Sequence, residues 1–355
     1  MDAGAHEPGS AEPVRLVLNV PPRWRAPLLV LGFASLALGV AGGLARIGAS
    51  MPAPAGAIAQ HGALMVSGFL GTVIGLERAV ALGHPWAYAA PLASGLGGVC
   101  LLAGFAVPGF ALMVFAAAVL VAASTATFAR QRSLEMATLL AGALAWLAGN
   151  LFLLAGQPAV PWWIAFFALT IGGERLELSR YLKRTPAVRF AFLLLAVLLL
   201  LTPLAPRLMG AVLVLLALWL LLYDLARVTV RQAGLPRYIA ACLLSGYAWL
   251  ALGGTLLAAA LAHDAALHAI FVGFVFSMVF GHAPVILPAV LRAAFRYHPI
   301  LYAPLILLHG SLAVRVLVST PVGAWGNAAA IALFIATAAA LVLARARGKR
   351  SLPGR

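Results

Sequence analysis

"HAIFVGFVFSMVFGHAPVIL", His268 to Leu287, is apolar at nearly every position yet holds two imidazoles, His268 and His282. A helix rises 1.5 Å per residue, so a run of about 20 such residues crosses a hydrocarbon core about 30 Å thick. Similar runs recur along the whole chain. Strands of a membrane barrel would be about 10 residues long with alternating polarity, and that alternation is absent. Across 355 residues, 64% are hydrophobic and 9% charged, against about 25% charged in an ordinary soluble domain. The sequence therefore predicts an all-α polytopic membrane protein.

Twelve spans are predicted, near residues 26–48, 58–82, 86–106, 108–130, 134–156, 160–182, 187–205, 208–228, 237–262, 266–292, 299–319 and 324–345. The connections are too short for a separate soluble domain. The division is a disordered tail over 1–25, one transmembrane domain over 26–346 and a basic tail over 347–355. The N-terminal stretch lacks the basic region followed by a short apolar core that a cleaved signal peptide carries. The net charge of +15 sits mostly in even-numbered connections and the tails, while odd-numbered ones hold little beyond Arg46 and Arg207. Basic residues stay on the cytoplasmic side of such chains. Both termini are thus expected inside, in a bacterial inner membrane, and nucleic acid is not an expected partner. Trp162, Trp163 and Trp325 are expected in an interfacial belt on the opposite side. Cys100 and Cys242 fall mid-span and read as buried thiols.

A repeat runs through the even-numbered spans. Gly75-Leu76-Glu77-Arg78, Gly172-Gly173-Glu174-Arg175 and Gly281-His282-Ala283-Pro284 stand 97 and 109 residues apart, each interval holding four spans. His84-Pro85 and His298-Pro299 open the spans after the second and the tenth. These matches predict a pseudo-threefold bundle of three four-helix units, with spans two, six and ten equivalent.

Four histidines lie inside spans, where an unpartnered polar group is costly and a functional role is the default. A bond to a neighbouring helix carbonyl is the competing structural role. His61 and His268 stand 14 and 13 residues before Gly75 and Gly281, so they share a depth near the outer end. Two imidazoles from separate helices suit the axial positions of a haem iron. Arg315 is the candidate partner for the haem carboxylates through its two-pronged donors, with snorkelling to the interface as the alternative. His282 follows His268 by 14 residues, which on a uniform α-helix places both on nearly one face. His282 and His309 are expected at a common inner level, as ligands of a second haem or a copper ion, or as a proton-handling or substrate-binding pair. Glu77 with Arg175, or Glu174 with Arg78, would form structural ion pairs between repeat helices, with a proton path as the alternative.

These residues resemble the NnrS-type membrane proteins, haem- and copper-containing proteins of the bacterial nitric oxide response. "HGALMVSGF", "IGGERLELS", "GYAWLALGG", "ALHAIFVGF" and "FGHAP" follow that family's order. Ala63 and Leu64 stand where the family often has a second histidine and an acid, and "GHAP" replaces its usual Gly-His-Thr-Gly. The resemblance implies haem b, nitric oxide as a small ligand and a role in nitrogen-oxide metabolism with an electron donor or reductase partner. The bundle plan is also similar to the catalytic subunit of haem-copper oxidases, where helices two and ten supply low-spin haem ligands. Spans six and seven hold no histidine, so a terminal oxidase is not expected. A cofactor-free proton-coupled secondary transporter and an assembly factor for a nitrogen-oxide reductase are the other readings.

Overall fold

The computed structural model describes residues 19–350 except 181, 183, 293 and 294, with side chains as far as Leu343. Among the described residues all regular structure is helical. The long helices are α1 (Pro22–Arg46), α2 (His61–Leu82), α3 (Pro85–Leu102), α4 (Ala106–Arg130), α5 (Leu134–Leu154), α6 (Val160–Leu178), α7 (Pro186–Leu201), α8 (Pro206–Tyr223), α9 (Leu235–Ala258), α10 (His263–Leu291), α11 (Pro299–Leu317) and α12 (Thr320–Arg350). Ten are long and apolar enough to cross a membrane, which makes this a multi-pass helical protein. The other two are α7, of 16 residues, and α6, whose last turns carry Glu174, Arg175 and Glu177.

Local sequence sets the ends of the helices. Proline stands in the first turn of α1, α6, α7, α8 and α9, where its missing N–H removes no helical bond. Ser133 caps α5 by accepting from Met136 N at 3.3 Å. Gly83 closes α2 at φ +72°, a left-handed conformation glycine adopts without strain, and His84-Pro85 then starts α3. Consecutive helices pack as neighbours, most extensively α5 on α6 and α8 on α9. α10 also touches α2 and α6.

Two helices carry a π-helical segment. Residues Leu64–Gly71 of α2 and Ala269–Phe276 of α10 are π-helical, eight residues each. A π turn bonds i to i+5 and so takes in an extra residue, a feature concentrated at functional sites. The side chain after each segment closes it in the same way. Thr72 Oγ1 donates to Gly68 O at 2.7 Å, and Ser277 Oγ donates to Gly273 O at 2.5 Å. Ser94 Oγ, from α3, serves the Ser67 carbonyl. The two segments, their glycines and their closing hydroxyls are all 205 residues apart. The two helices thus share this backbone feature, in a register one residue off the glycine alignment. α6 carries no π segment.

The aromatic belt needs correcting. Trp163 is 3% exposed, and its Nε1 donates to Asn150 Oδ1 at 3.1 Å. Asn150 also accepts from Ser67 Oγ at 2.9 Å and donates to Met113 O at 3.0 Å, while Trp146 Nε1 donates to Ser67 Oγ at 3.1 Å. Trp163 therefore belongs to a buried network that ties α2, α4, α5 and α6 together. Trp325 is exposed. The tails also shift. Residues 1–18 lie outside the described residues, but Pro22–Arg25 already form the first turn of α1. Arg25 is 2% exposed and donates to Val20 O at 2.8 Å and Val290 O at 2.9 Å. Helix α12 runs on to Arg350, and residues 351–355 lie outside the description.

Candidate functional site

Polar side chains on α2 and α10 gather in two tiers. The first is at the start of both helices. Ala55–Ala59 form a short helix that breaks at Gln60, and His61 opens α2. Three glycines of α1 receive this stretch. A Cβ on Gly42 would collide with the Ala57 carbonyl, and one on Gly43 would lie 2.6 Å from His61 Cε1. The imidazole thus lies against bare backbone, and His61 Nδ1 meets Gly39 O at 2.6 Å. A carbonyl only accepts, so Nδ1 carries the proton and Nε2 keeps its lone pair in the neutral ring.

His268 is held likewise. Its Nδ1 lies 2.8 Å from Asp264 O and 3.3 Å from Asp264 Oδ1, which fixes the same tautomer. The other carboxylate oxygen of Asp264 accepts from Arg315 Nη2 at 3.1 Å. His268, Arg46 and Arg315 are all close enough for their charges to act on His61. The structure thus brings His61, His268 and Arg315 to one end of the bundle. Asp264, an unread residue, joins the last two. Its i, i+4 spacing to His268 was the available signal. Arg315 meets this carboxylate through Nη2 alone, and its buried Nε has no hydrogen-bond partner among the described residues.

The second tier lies eight residues further along α2 than Phe69 and six further along α10 than Phe276, the two rings that stack at 6.1 Å between the helices. It comprises Glu77, Glu174 and His282, which line a cavity of about 430 Å³. Arg78 Nη2 donates to Glu174 Oε1 at 2.5 Å, one of the two ion pairs considered. Arg175 makes the other kind of contact altogether. It bonds Asp224 through Nε at 2.7 Å and Nη2 at 3.0 Å, leaving Glu77 with no hydrogen-bond or ion-pair partner among the described residues. Asp224 also accepts from Tyr247 Oη at 3.1 Å and Ala226 N at 2.6 Å. That satisfied cluster is structural.

The expected inner pair, His282 with His309, finds separate partners. Trp249 Nε1 can only donate, and it donates to His309 Nδ1 at 2.9 Å. His309 Nε2 therefore carries the proton and donates to Ser245 Oγ at 2.8 Å, whose own hydrogen goes to Ala241 O at 2.7 Å. Both ring nitrogens of His309 are occupied by α9, which gives it a packing role. The single-face argument for His268 and His282 also fails in its derivation, because the π segment between them displaces later positions by about one residue, roughly 100°.

Among the described residues no three His, Cys, Asp or Glu side chains gather as a metal-ion group. A copper or zinc site with three protein ligands is therefore not built here. Haem makes a smaller demand, since the porphyrin supplies the equatorial ligands and the chain only the axial ones. A family model described as a domain of unknown function (DUF8744) matches residues 25–343. The chain belongs to this family. No curated protein and no solved structure matches the chain. The matched stretch of this DUF8744 chain contains both polar tiers and both π segments.

Proposed function

We propose that the chain is a haem b-binding integral membrane protein in which His61 and His268 are the two axial ligands. The observation that carries this reading is their shared hydrogen-bond state. Each ring gives its Nδ1 proton to a backbone carbonyl, which is how metal-ligating histidines are oriented from behind. Each keeps Nε2 for a metal, on separate helices at one end of the bundle. Gly43 leaves room for the ring, and Asp264 holds His268 from behind. Haem bound there would supply a one-electron couple, and burial and the hydrogen bonds behind the ligands would tune its potential. The resemblance to NnrS-type proteins adds nitric oxide as the small ligand to test and nitrogen-oxide metabolism as the setting.

The finer architecture belongs to the same proposal. Twelve crossings, arranged as three four-helix units around α2, α6 and α10, would place both termini on the cytoplasmic side. The first polar tier would then face the opposite side. The shared 205-residue register of α2 and α10 supports the unit repeat, and the distribution of arginines supports the orientation.

The test is a visible spectrum of detergent-purified protein made under haem-replete conditions. A Soret band with sharp reduced bands, lost in both His61→Ala and His268→Ala, is the expected result. A colourless protein, or variants with undiminished haem, overturns the proposal.

A further inference from the structure

The second tier contains polar groups without hydrogen-bond partners. His282 Nδ1 meets Met278 O at 2.9 Å, so its Nε2 is an acceptor in the neutral ring. That Nε2 is buried and has no hydrogen-bond partner. The Glu77 carboxyl has none either, because Arg78 is committed to Glu174. Glu77 and His282 are also 205 residues apart. They therefore occupy equivalent positions, each five residues beyond the hydroxyl that closes a π segment. Two touching helices thus place two acceptor-bearing residues at matching positions in the wall of one cavity of about 430 Å³.

Beyond these two, the lining is apolar except Thr170 and Glu174, and it includes the aromatic rings of Phe33, Phe280 and Phe334. Phe280 and Phe334 stack at 3.9 Å with 7° between their planes. Ile335, Ala339 and Leu343 of α12 line the cavity and are also exposed. They lie on a helix apolar enough to cross a membrane, so the opening gives onto hydrocarbon. A ligand arriving by this route is dissolved in the bilayer. Fatty acids and anionic phospholipids carry negatively charged heads, which two carboxylates beside a single arginine disfavour. A ring with a hydroxyl at each end supplies two donors to two acceptors on facing helices and packs flat against phenyl rings.

We infer that this cavity binds a membrane-dissolved quinol, with one hydroxyl donating to the Glu77 carboxylate, the other to His282 Nε2, and the apolar tail leaving past Ala339. The inference uses none of the residues assigned to haem. An unmet buried acceptor costs about 1–3 kcal/mol, so removing one of these bonds weakens binding by roughly tenfold or more.

The experiment is anaerobic calorimetric titration of the full chain in lipid nanodiscs with decyl-ubiquinol. Saturable binding is expected, weakened about tenfold or more by Glu77→Gln and by His282→Leu, and abolished by Ala339→Trp. The last residue is on the exposed rim, so its substitution tests the site even where a buried variant fails to fold. Three results would each overturn the inference: no saturable binding, affinity unchanged in the variants that fold, or dodecylamine binding in preference to the quinol.

Discussion

Replacing Asp224 by alanine removes the counter-charge of Arg175, whose side chain is 6% exposed against 0% for the aspartate. Asp224 accepts four hydrogen bonds, two from the guanidinium and one each from Tyr247 Oη and Ala226 N. Breaking a buried ion pair from one side costs about 3–5 kcal/mol, because the remaining charge has lost its compensation. The tyrosine hydroxyl, left without its acceptor in a fully buried setting, adds roughly 1–3 kcal/mol. Asp224→Ala is therefore expected to destabilise the bundle by about 4 kcal/mol or more, roughly a thousandfold in the unfolding equilibrium. Asp224→Asn keeps one acceptor but turns an amide donor toward the guanidinium, and should recover only part of the loss. The double variant Arg175→Met with Asp224→Leu removes both charges and should return to within about 2 kcal/mol of the parent. The assay is reversible unfolding of detergent-purified protein by sodium dodecyl sulfate, followed by circular dichroism. A cost below about 1 kcal/mol for Asp224→Ala, or a double variant worse than the sum of the singles, would refute the buried-charge argument.

Two further outcomes follow from the same contacts. Asp264→Ala leaves His268 its backbone acceptor but removes the carboxylate behind it, so haem affinity should fall about 10–100-fold in a haem titration, with folding intact because the aspartate side chain is 60% exposed. Thr72→Val and Ser277→Ala each remove a hydroxyl that closes a π segment. Each should cost about 1 kcal/mol by the same unfolding assay, and unequal costs would count against the repeat.

Membrane-length helices could be read because a run of about 20 apolar residues has few other uses, and ten of the predicted spans fall on helices long and apolar enough to cross a membrane. The π segments could not. "AIFVGFVF" is apolar on every face, so its sequence carries no angular phase, and a geometry that alters phase leaves no trace in it. That is why the single-face argument for His268 and His282 does not hold on this helix. Asp224 ends α8 in "LLLYDLARV" and looks like a loop residue, yet it is the buried centre of a charge cluster. Gly39, Gly42 and Gly43 announced a close approach to α1, but only coordinates show that Leu64 and Met65, Ala57 and His61 are the groups that approach them in turn.

The 205-residue register sorts the polar residues of α2 and α10 into two kinds. Glu77 and His282 match in this register, whereas His61 matches Ala266 and His268 matches Ala63. Residues at matched positions lie at matched heights on parallel helices and face whatever the repeat itself encloses, here the cavity. A two-residue offset turns side chains about 200° apart on an α-helix, so His61 and His268 cannot face their neighbours in the same sense. The first tier is therefore an arrangement specific to each helix: glycines of α1 receive His61, while Asp264 and Arg315 position His268. The second tier is inherited from the repeat and differentiated by side-chain chemistry. The π segments and the Phe69–Phe276 stack between the tiers let each set its own orientation. A single greasy helix thereby holds two imidazoles in two separate surroundings.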